Sequence, residues 1–221
     1  MENKKNLYIV GTGGFGRETL WLAERINQAA QTWNIRGFID DNEQMHGREV
    51  AGYPVLGDCG YFADQSEESW VAVAIGSARG KKTVVDKLSA YQNLHFATLI
   101  DPAVIMSDDV TVGEGCILCA GSVFTVNITL GRHVIVNLNC TVGHDSVLED
   151  YVTVYPGVNV SGCVRVGEES ELGTGMQIIQ GMSIGKGSIL GAGAVVVSDI
   201  PRGCTAVGIP ARPIKFHEEK P

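Results

Sequence analysis

From Val112 to Val196 an apolar residue recurs every six positions. Val112, Leu118, Phe124, Leu130, Val136, Val142, Leu148, Val154, Val160, Val166, Leu172, Ile178, Ile184, Leu190 and Val196 keep this register without an insertion. Two residues earlier stands a second set, mostly small or β-branched. It includes Val110, Cys116, Ser122, Val134, Cys140, Ser146, Val152, Val158, Ser170, Ser188 and Ala194. Glycine follows the apolar residue at 113, 131, 143, 167, 173, 185 and 191. A period of six fits neither a lone helix nor an alternating strand. It is the period of a parallel β-helix, in which a short strand and a turn make one side of each coil. No such unit buries its apolar residue alone; stacking on the coils above and below does. A β-sandwich would space its strands 8–12 residues apart, which argues against that fold. Ile100 and Met106 extend the phase backwards, leaving room for about five to six coils of roughly 18 residues up to Val196.

The chain before the coils has a different rhythm. Leu7–Val10 is a short β-rich run. Gly11-Thr12-Gly13-Gly14-Phe15-Gly16 follows at once, and helix-like spacing runs from Arg17 to about Gln31. Strand, glycine turn and helix give a GxGxxG context in which amides at a helix start can approach a phosphate. Ile35–Ile39 predicts a second strand ending in Asp40 and Asp41. An acidic pair there suits a ribose or base contact, although Asp-Asp-Asn is also ordinary turn chemistry. Gly52–Gly57 holds a short strand, Trp70–Gly76 a buried parallel strand, and Lys81–Tyr91 a helix. Some four strands in the first 97 residues make half a Rossmann fold. Half a fold suits a mononucleotide rather than NAD. After Val196, Asp199–Gly203 reads as a turn, Cys204–Ile209 as an extended run, and Pro210–Pro213 precedes a charged tail.

Composition narrows the function classes. The 221 residues carry a net charge of −8 with a pI near 5.1, so a large basic nucleic-acid footprint is excluded. No apolar run reaches membrane-span length, and the N-terminal apolar run is too short for a signal peptide. A cytoplasmic protein without nucleic-acid or membrane partners is expected. Cys116 and Cys119 form a CxxC, but Cys116 and Cys140 occupy the small slot of the hexads. Packing thiols are preferred to zinc or redox chemistry.

Candidate chemistry concentrates in Asn137–Asp145. His144 lies two residues after the inward Val142, so it should face outward, and Asp145 could orient its ring. An outward histidine beside a groove suits general-base work. The residues alone equally allow a solvent-exposed His-Asp pair in a turn. His46, His95, His133 and His217 have no local constellation. No cluster has metal-ligand spacing, and no Gly-x-Ser-x-Gly elbow is present.

The hexads resemble those of the hexapeptide-repeat acyltransferases, whose fold is a left-handed β-helix. Together with Ile9–Gly16, Phe38–Asp41, Ala74–Gly76, Gly143–Asp145 and Gly208–Arg212, nearly the whole chain resembles the nucleotide-amino-sugar N-acetyltransferases of bacterial surface-glycan synthesis. The bacillosamine- and perosamine-pathway enzymes belong to these. The sialic-acid O-acetyltransferases share much of the pattern. The resemblance implies an α/β half-Rossmann domain over 1–97 that binds the nucleotide sugar through Gly13, Gly14, Phe15, Asp40, Asp41 and Gly76. Residues 98–221 would be the β-helix acetyltransferase domain with its cap, assembled as a homotrimer with sites between subunits. It implies His144 as base, Asp145 as its partner and Asn137 nearby. Acetyl-CoA would be co-substrate along Thr153, Gly162, Thr174, Ala192, Gly208 and Arg212, with no metal. Several relatives have histidine where this chain has Phe15, and some where it has Thr153, so those histidines' roles do not transfer. Some have glutamate in place of Asp145.

The alternatives are an O-acetyltransferase acting on a sugar hydroxyl, a catalytically silent trimeric scaffold, and a γ-carbonic-anhydrase-like protein. The last lacks a convincing set of histidine ligands. An NAD enzyme lacks its second nucleotide half.

Overall fold

The computed structural model describes residues 4–217; residues 1–3 and most of the charged tail, 218–221, lie outside them. The chain forms two compact units, 1–102 and 103–221.

In the first unit the strands are β1 (Lys5–Val10), β2 (Trp33–Ile39), β3 (Glu49–Val50), β4 (Tyr53–Gly57), β5 (Ser69–Val73) and β6 (Leu94–Phe96). The helices are α1 (Gly14–Ala29) and α2 (Ala78–Leu88). The sheet order is β3-β4-β2-β1-β5-β6, parallel throughout except for the β3–β4 pair. Leu7, Ile9, Phe38, Ile39, Val71 and Ala72 are wholly buried. Such near-continuous apolar runs are what a parallel sheet covered on both faces requires. From β1 the chain passes through α1 to β2 on one side, and later returns to β5 on the other. β1 and β5 therefore flank a topological switch point, where open α/β sheets bind ligands beyond the carboxyl ends of their strands.

The helix α1 starts at Gly14, three residues before the start the apolar spacing gives, because the glycine turn supplies its first residues. Gly16 belongs there by necessity: a Cβ on it would stand 1.9 Å from the Gly11 carbonyl oxygen.

The second unit is a stack of two-residue strands. Thr141–Val142 lies parallel to Asn159–Val160, Val147–Leu148 to Arg165–Val166, and Thr153–Val154 to Glu171–Leu172. Each residue therefore sits over the one 18 positions on, and every coil has three faces joined by three corners. Leu130, Val136, Val142, Leu148, Val154 and Val166 point inward and are buried. Each contributes about 1.5–3 kcal/mol relative to exposure. The small-residue slot has a second use. Ser122 Oγ donates to the Asn137 carbonyl at 2.8 Å, Ser146 to Ser161 at 3.1 Å, and Ser170 to Gly185 at 3.1 Å. Cys116 and Cys140 make the same reach to Gly131 and Tyr155. Hydroxyls inside the prism thus satisfy corner carbonyls that would otherwise be buried unpaired.

At the far end, Cys204–Val207 lies beside Ile189–Leu190 and pairs antiparallel with Arg212–Phe216. The sequence reading places no strand over 212–216. Pairing there covers an otherwise open edge, a tertiary demand that local pattern does not announce.

Candidate active site

The strand Thr141–Val142 ends at a corner formed by residues 143–146. His144 occupies this corner and is half-exposed, at 48% of its side chain. Its Nδ1 lies 2.8 Å from Asp145 Oδ2. Asp145 takes a left-handed backbone conformation with φ 59°, which a short polar side chain tolerates. Its other oxygen, Oδ1, accepts from Asn127 Nδ2 at 2.6 Å. Hydrogen bonds from His144 first, and from Asn127 next, hold the Asp145 carboxyl below the ordinary carboxylate range. An ionised Asp145 makes Nδ1 the protonated nitrogen of a neutral ring, leaving the Nε2 lone pair to receive a proton.

The coil period builds the rest of the site. Val126, His144 and Gly162 form one column of the corner, and Asn127, Asp145 and Cys163 form the next, each 18 residues apart. Backbone bonds stitch these columns: Asp145 N donates to Val126 O at 3.2 Å, and Cys163 N to His144 O at 2.7 Å. Gly162 is the floor under the imidazole, since a Cβ there would stand 2.4 Å from His144 Nε2. Its own N–H donates to no acceptor among the described residues. Asn127 and Cys163 are not singled out by local pattern. The signal that finds them is their spacing of one coil on either side of Asp145.

Other expected residues lie on a different corner. Asn137, Thr174 and Ala192 follow the strands Ile135–Val136, Glu171–Leu172 and Ile189–Leu190, whereas His144 and Gly162 follow Thr141–Val142 and Asn159–Val160. Within one chain these two groups are not brought together. Asn137 is 9% exposed, and its side chain turns back so that Oδ1 accepts from Leu138 N at 2.7 Å. Thr153, expected along the cofactor groove, is 1% exposed and presents no open surface in the chain. Gly208 has φ 94°, and Arg212 Nη1 lies 3.4 Å from Ser198 Oγ. Ser198 is in the His144 column, three coils on, or roughly 14 Å along the stack at about 4.8 Å per coil.

In the first unit the glycine turn, Asp40 and Gly76 follow β1, β2 and β5, which are neighbours in the sheet. Gly13 and Gly14 are exposed, and a Cβ on either would meet nothing within 4 Å. The fold itself therefore does not demand glycine at these two positions. Phe15 is half-buried against the cluster of Ile9, Leu20 and Phe38. The Asp40 carboxylate is committed to the turn: Oδ2 accepts from Thr12 N at 2.8 Å and from Thr12 Oγ1 at 2.6 Å. Burial opposes its charge. The bonds from Thr12 and Asn42 outweigh that and lower its pKa. Asp41 is exposed and meets Lys87 Nζ at 2.7 Å, and the Lys87 bond, ahead of a bond from Cys59, lowers its pKa.

The remaining histidines lie elsewhere. His133 is buried and stacks on Tyr151 at 5.2 Å. His95 stacks on Trp70 at 4.9 Å, His46 bonds the Asp40 carbonyl at 2.8 Å, and His217 bonds Thr205 at 2.8 Å. Among the described residues, His144, Asp145 and Cys163 are the one group of histidine, cysteine and acidic side chains with three potential ligand atoms close together, all within 4.8 Å of one another.

Residues 6–88 match the PglD N-terminal domain family. Over 217 residues the chain is 31% identical to GDP-perosamine N-acetyltransferase of Escherichia coli O157:H7, covering 95% of this chain and 97% of that one. Among solved structures, the chain is similar to the acetyltransferase domain of PglB from Neisseria gonorrhoeae FA1090 in complex with acetyl coenzyme A. The TM-score is 0.87 at 33% identity, with 96% of this chain and 100% of that one covered. It is also similar to PerB from Caulobacter crescentus in complex with CoA and GDP-perosamine. There the TM-score is 0.84 at 29% identity, covering 97% of this chain and 99% of that one.

Proposed function

We propose that this chain, which belongs to the nucleotide-amino-sugar N-acetyltransferase family of left-handed β-helix acyltransferases, moves the acetyl group of acetyl-CoA onto the amino group of a nucleotide-linked 4-amino-deoxy sugar. It is an acetyl-CoA-dependent enzyme of glycan synthesis. The observation that carries the assignment of roles is the His144–Asp145 dyad on its glycine floor.

The reaction is a direct attack. The sugar amine nitrogen bonds to the thioester carbonyl carbon, and the carbonyl π pair moves onto oxygen. As the C–N bond forms, the nitrogen becomes acidic and His144 Nε2 takes its proton. Collapse of the tetrahedral species re-forms the carbonyl and breaks the C–S bond. CoA leaves as a thiolate and is protonated by the imidazolium or by water. Asp145 fixes the tautomer and stabilises the imidazolium, and Asn127 holds Asp145. The Gly162 N–H supplies a donor for the oxyanion.

Residues 1–97 select the nucleotide sugar, and residues 98–221 carry the transfer. Gly13 and Gly14 leave room for a substrate phosphate at the start of α1, with Phe15, Asp40, Asp41 and Gly76 around it. For Asp40 the contact is indirect, through the turn it braces. Acetyl-CoA runs from His144 and Gly162 towards Gly208 and Arg212, whose guanidinium suits a phosphate.

Thr174, Ala192 and Asn137 reach the same groove from a neighbouring subunit. They share one corner and His144 occupies another, so a groove lined by both needs adjacent chains. A homotrimer in the cytoplasm is the assembly this reading requires. A nucleotide-sugar acceptor also fits the open glycines of the first unit better than free sialic acid does. Free-thiol release from acetyl-CoA with UDP-, dTDP- and GDP-linked 4-amino sugars, set against sialic acid, tests the acceptor class. Release with sialic acid alone would replace the amine by a hydroxyl.

A further inference from the structure

The corner that carries His144 also holds a mixed set of potential metal donors. His144, Asp145 and Cys163 are exposed, and one ligand atom from each lies within 4.8 Å of the others. They offer an imidazole nitrogen, a carboxylate oxygen and a thiol sulfur. That combination favours zinc(II), which accepts nitrogen, oxygen and sulfur donors and needs a fourth ligand that water supplies. Magnesium and calcium, which prefer oxygen, are disfavoured.

The donors come from rigid positions. His144 and Asp145 are consecutive, and Cys163 is fixed one coil away by the 2.7 Å bond from its N–H to the His144 carbonyl. Asn127, on the opposite side of Asp145, bonds the other carboxylate oxygen, leaving Oδ2 to face the ring. An outer hydrogen bond of that kind orients a metal-ligating carboxylate. The other five cysteines are buried and Cys163 is exposed, so a thiolate signal from added metal reports on this corner.

We propose that His144, Asp145 and Cys163 form a zinc(II) site whose occupation reversibly switches the enzyme off. Either ring nitrogen of His144 serves the same end. Metal at Nε2 removes the proton acceptor, and metal at Nδ1 displaces the bond to Asp145. Binding releases the thiol proton and involves no redox step. The binding claim stands by itself; only the switching claim rests on His144 as the base.

The experiment uses the full chain freed of metal by a chelator, with cobalt(II) as spectroscopic probe and zinc(II) as inhibitor. Wild type should show a thiolate-to-cobalt charge-transfer band that saturates at one metal per chain, and Cys163→Ser should lack it. Zinc should inhibit wild-type acetyl transfer, and EDTA should restore it. With inhibition of each protein measured relative to its own rate in EDTA, Cys163→Ser should need at least about 10-fold more zinc for the same fractional inhibition. Absence of the band in wild type overturns the site. Equal zinc sensitivity of wild type and Cys163→Ser, or a cobalt band without zinc inhibition, overturns the switch.

Discussion

Asn127 Nδ2 donates to Asp145 Oδ1 at 2.6 Å, one coil below the carboxylate that holds His144. The pair is exposed, so its worth is orientation rather than stability. Asn127→Ala leaves Asp145 bonded on one side only. Its carboxyl should move back up towards the ordinary range, and the imidazole should lose a fixed tautomer and direction. Turnover should fall about 3- to 10-fold, the value of one ordinary solvent-exposed hydrogen bond at about 1 kcal/mol. KM for both substrates should stay near wild type, and the melting temperature should fall modestly because alanine accepts the φ 55° backbone of Asn127 less readily than asparagine. A rise in KM with kcat unchanged would place Asn127 in substrate binding instead.

Gly162→Ala tests the floor of the site. Its new methyl would stand 2.4 Å from His144 Nε2, so the ring must tilt away from the reacting amine. Misplacing a catalytic group by about 1 Å costs about 10²-fold. A loss of that order in kcat, with the melting curve unchanged, is expected. Steady-state rates beside circular-dichroism melts decide it.

The glycines of the N-terminal turn should separate into two classes. Gly16→Ala puts a Cβ 1.9 Å from the Gly11 carbonyl oxygen. Backbone cannot yield there cheaply, and overpacking of this kind costs about 1–3 kcal/mol or more. Gly13→Ala and Gly14→Ala meet nothing within 4 Å in the chain. They should fold like wild type and raise KM for the nucleotide sugar while leaving KM for acetyl-CoA alone. Equal destabilisation in all three variants would contradict the division.

Asp40 supplies a pH dependence. Its folded pKa is lowered, by Thr12 and Asn42 against the effect of burial. A group lowered in the folded state stabilises the fold above its unfolded value, about 3.9 for aspartate. That stability is lost as pH falls through the folded pKa. Wild type should therefore melt higher than Asp40→Asn at pH 7, and the gap should close as pH drops below about 4. A gap that is constant with pH would show that the Thr12 contact needs shape and not charge.

The coils were legible from their spacing because one inward residue in six is imposed by geometry and by nothing else. The same spacing also contained more than a local reading extracts. Asn127 and Cys163 are adjacent to the dyad only through the 18-residue return of the chain, so inspection around His144 does not reach them. The strand at Arg212–Phe216 was hidden for a related reason, as it forms to cover an edge. The Asp40 carboxylate illustrates a different limit. Sequence places an acid at the end of β2, but only the structure gives it Thr12 as hydrogen-bond partner.

The most direct test of the account is the rate of CoA release from acetyl-CoA in the presence of nucleotide-linked 4-amino sugars, compared between wild type and His144→Ala. Wild type should turn over at least one of them to the N-acetylated sugar. His144→Ala should lose about 10²–10⁴-fold in kcat while still binding CoA. Near-normal turnover by His144→Ala, or no release by wild type with any nucleotide amino sugar, would contradict it.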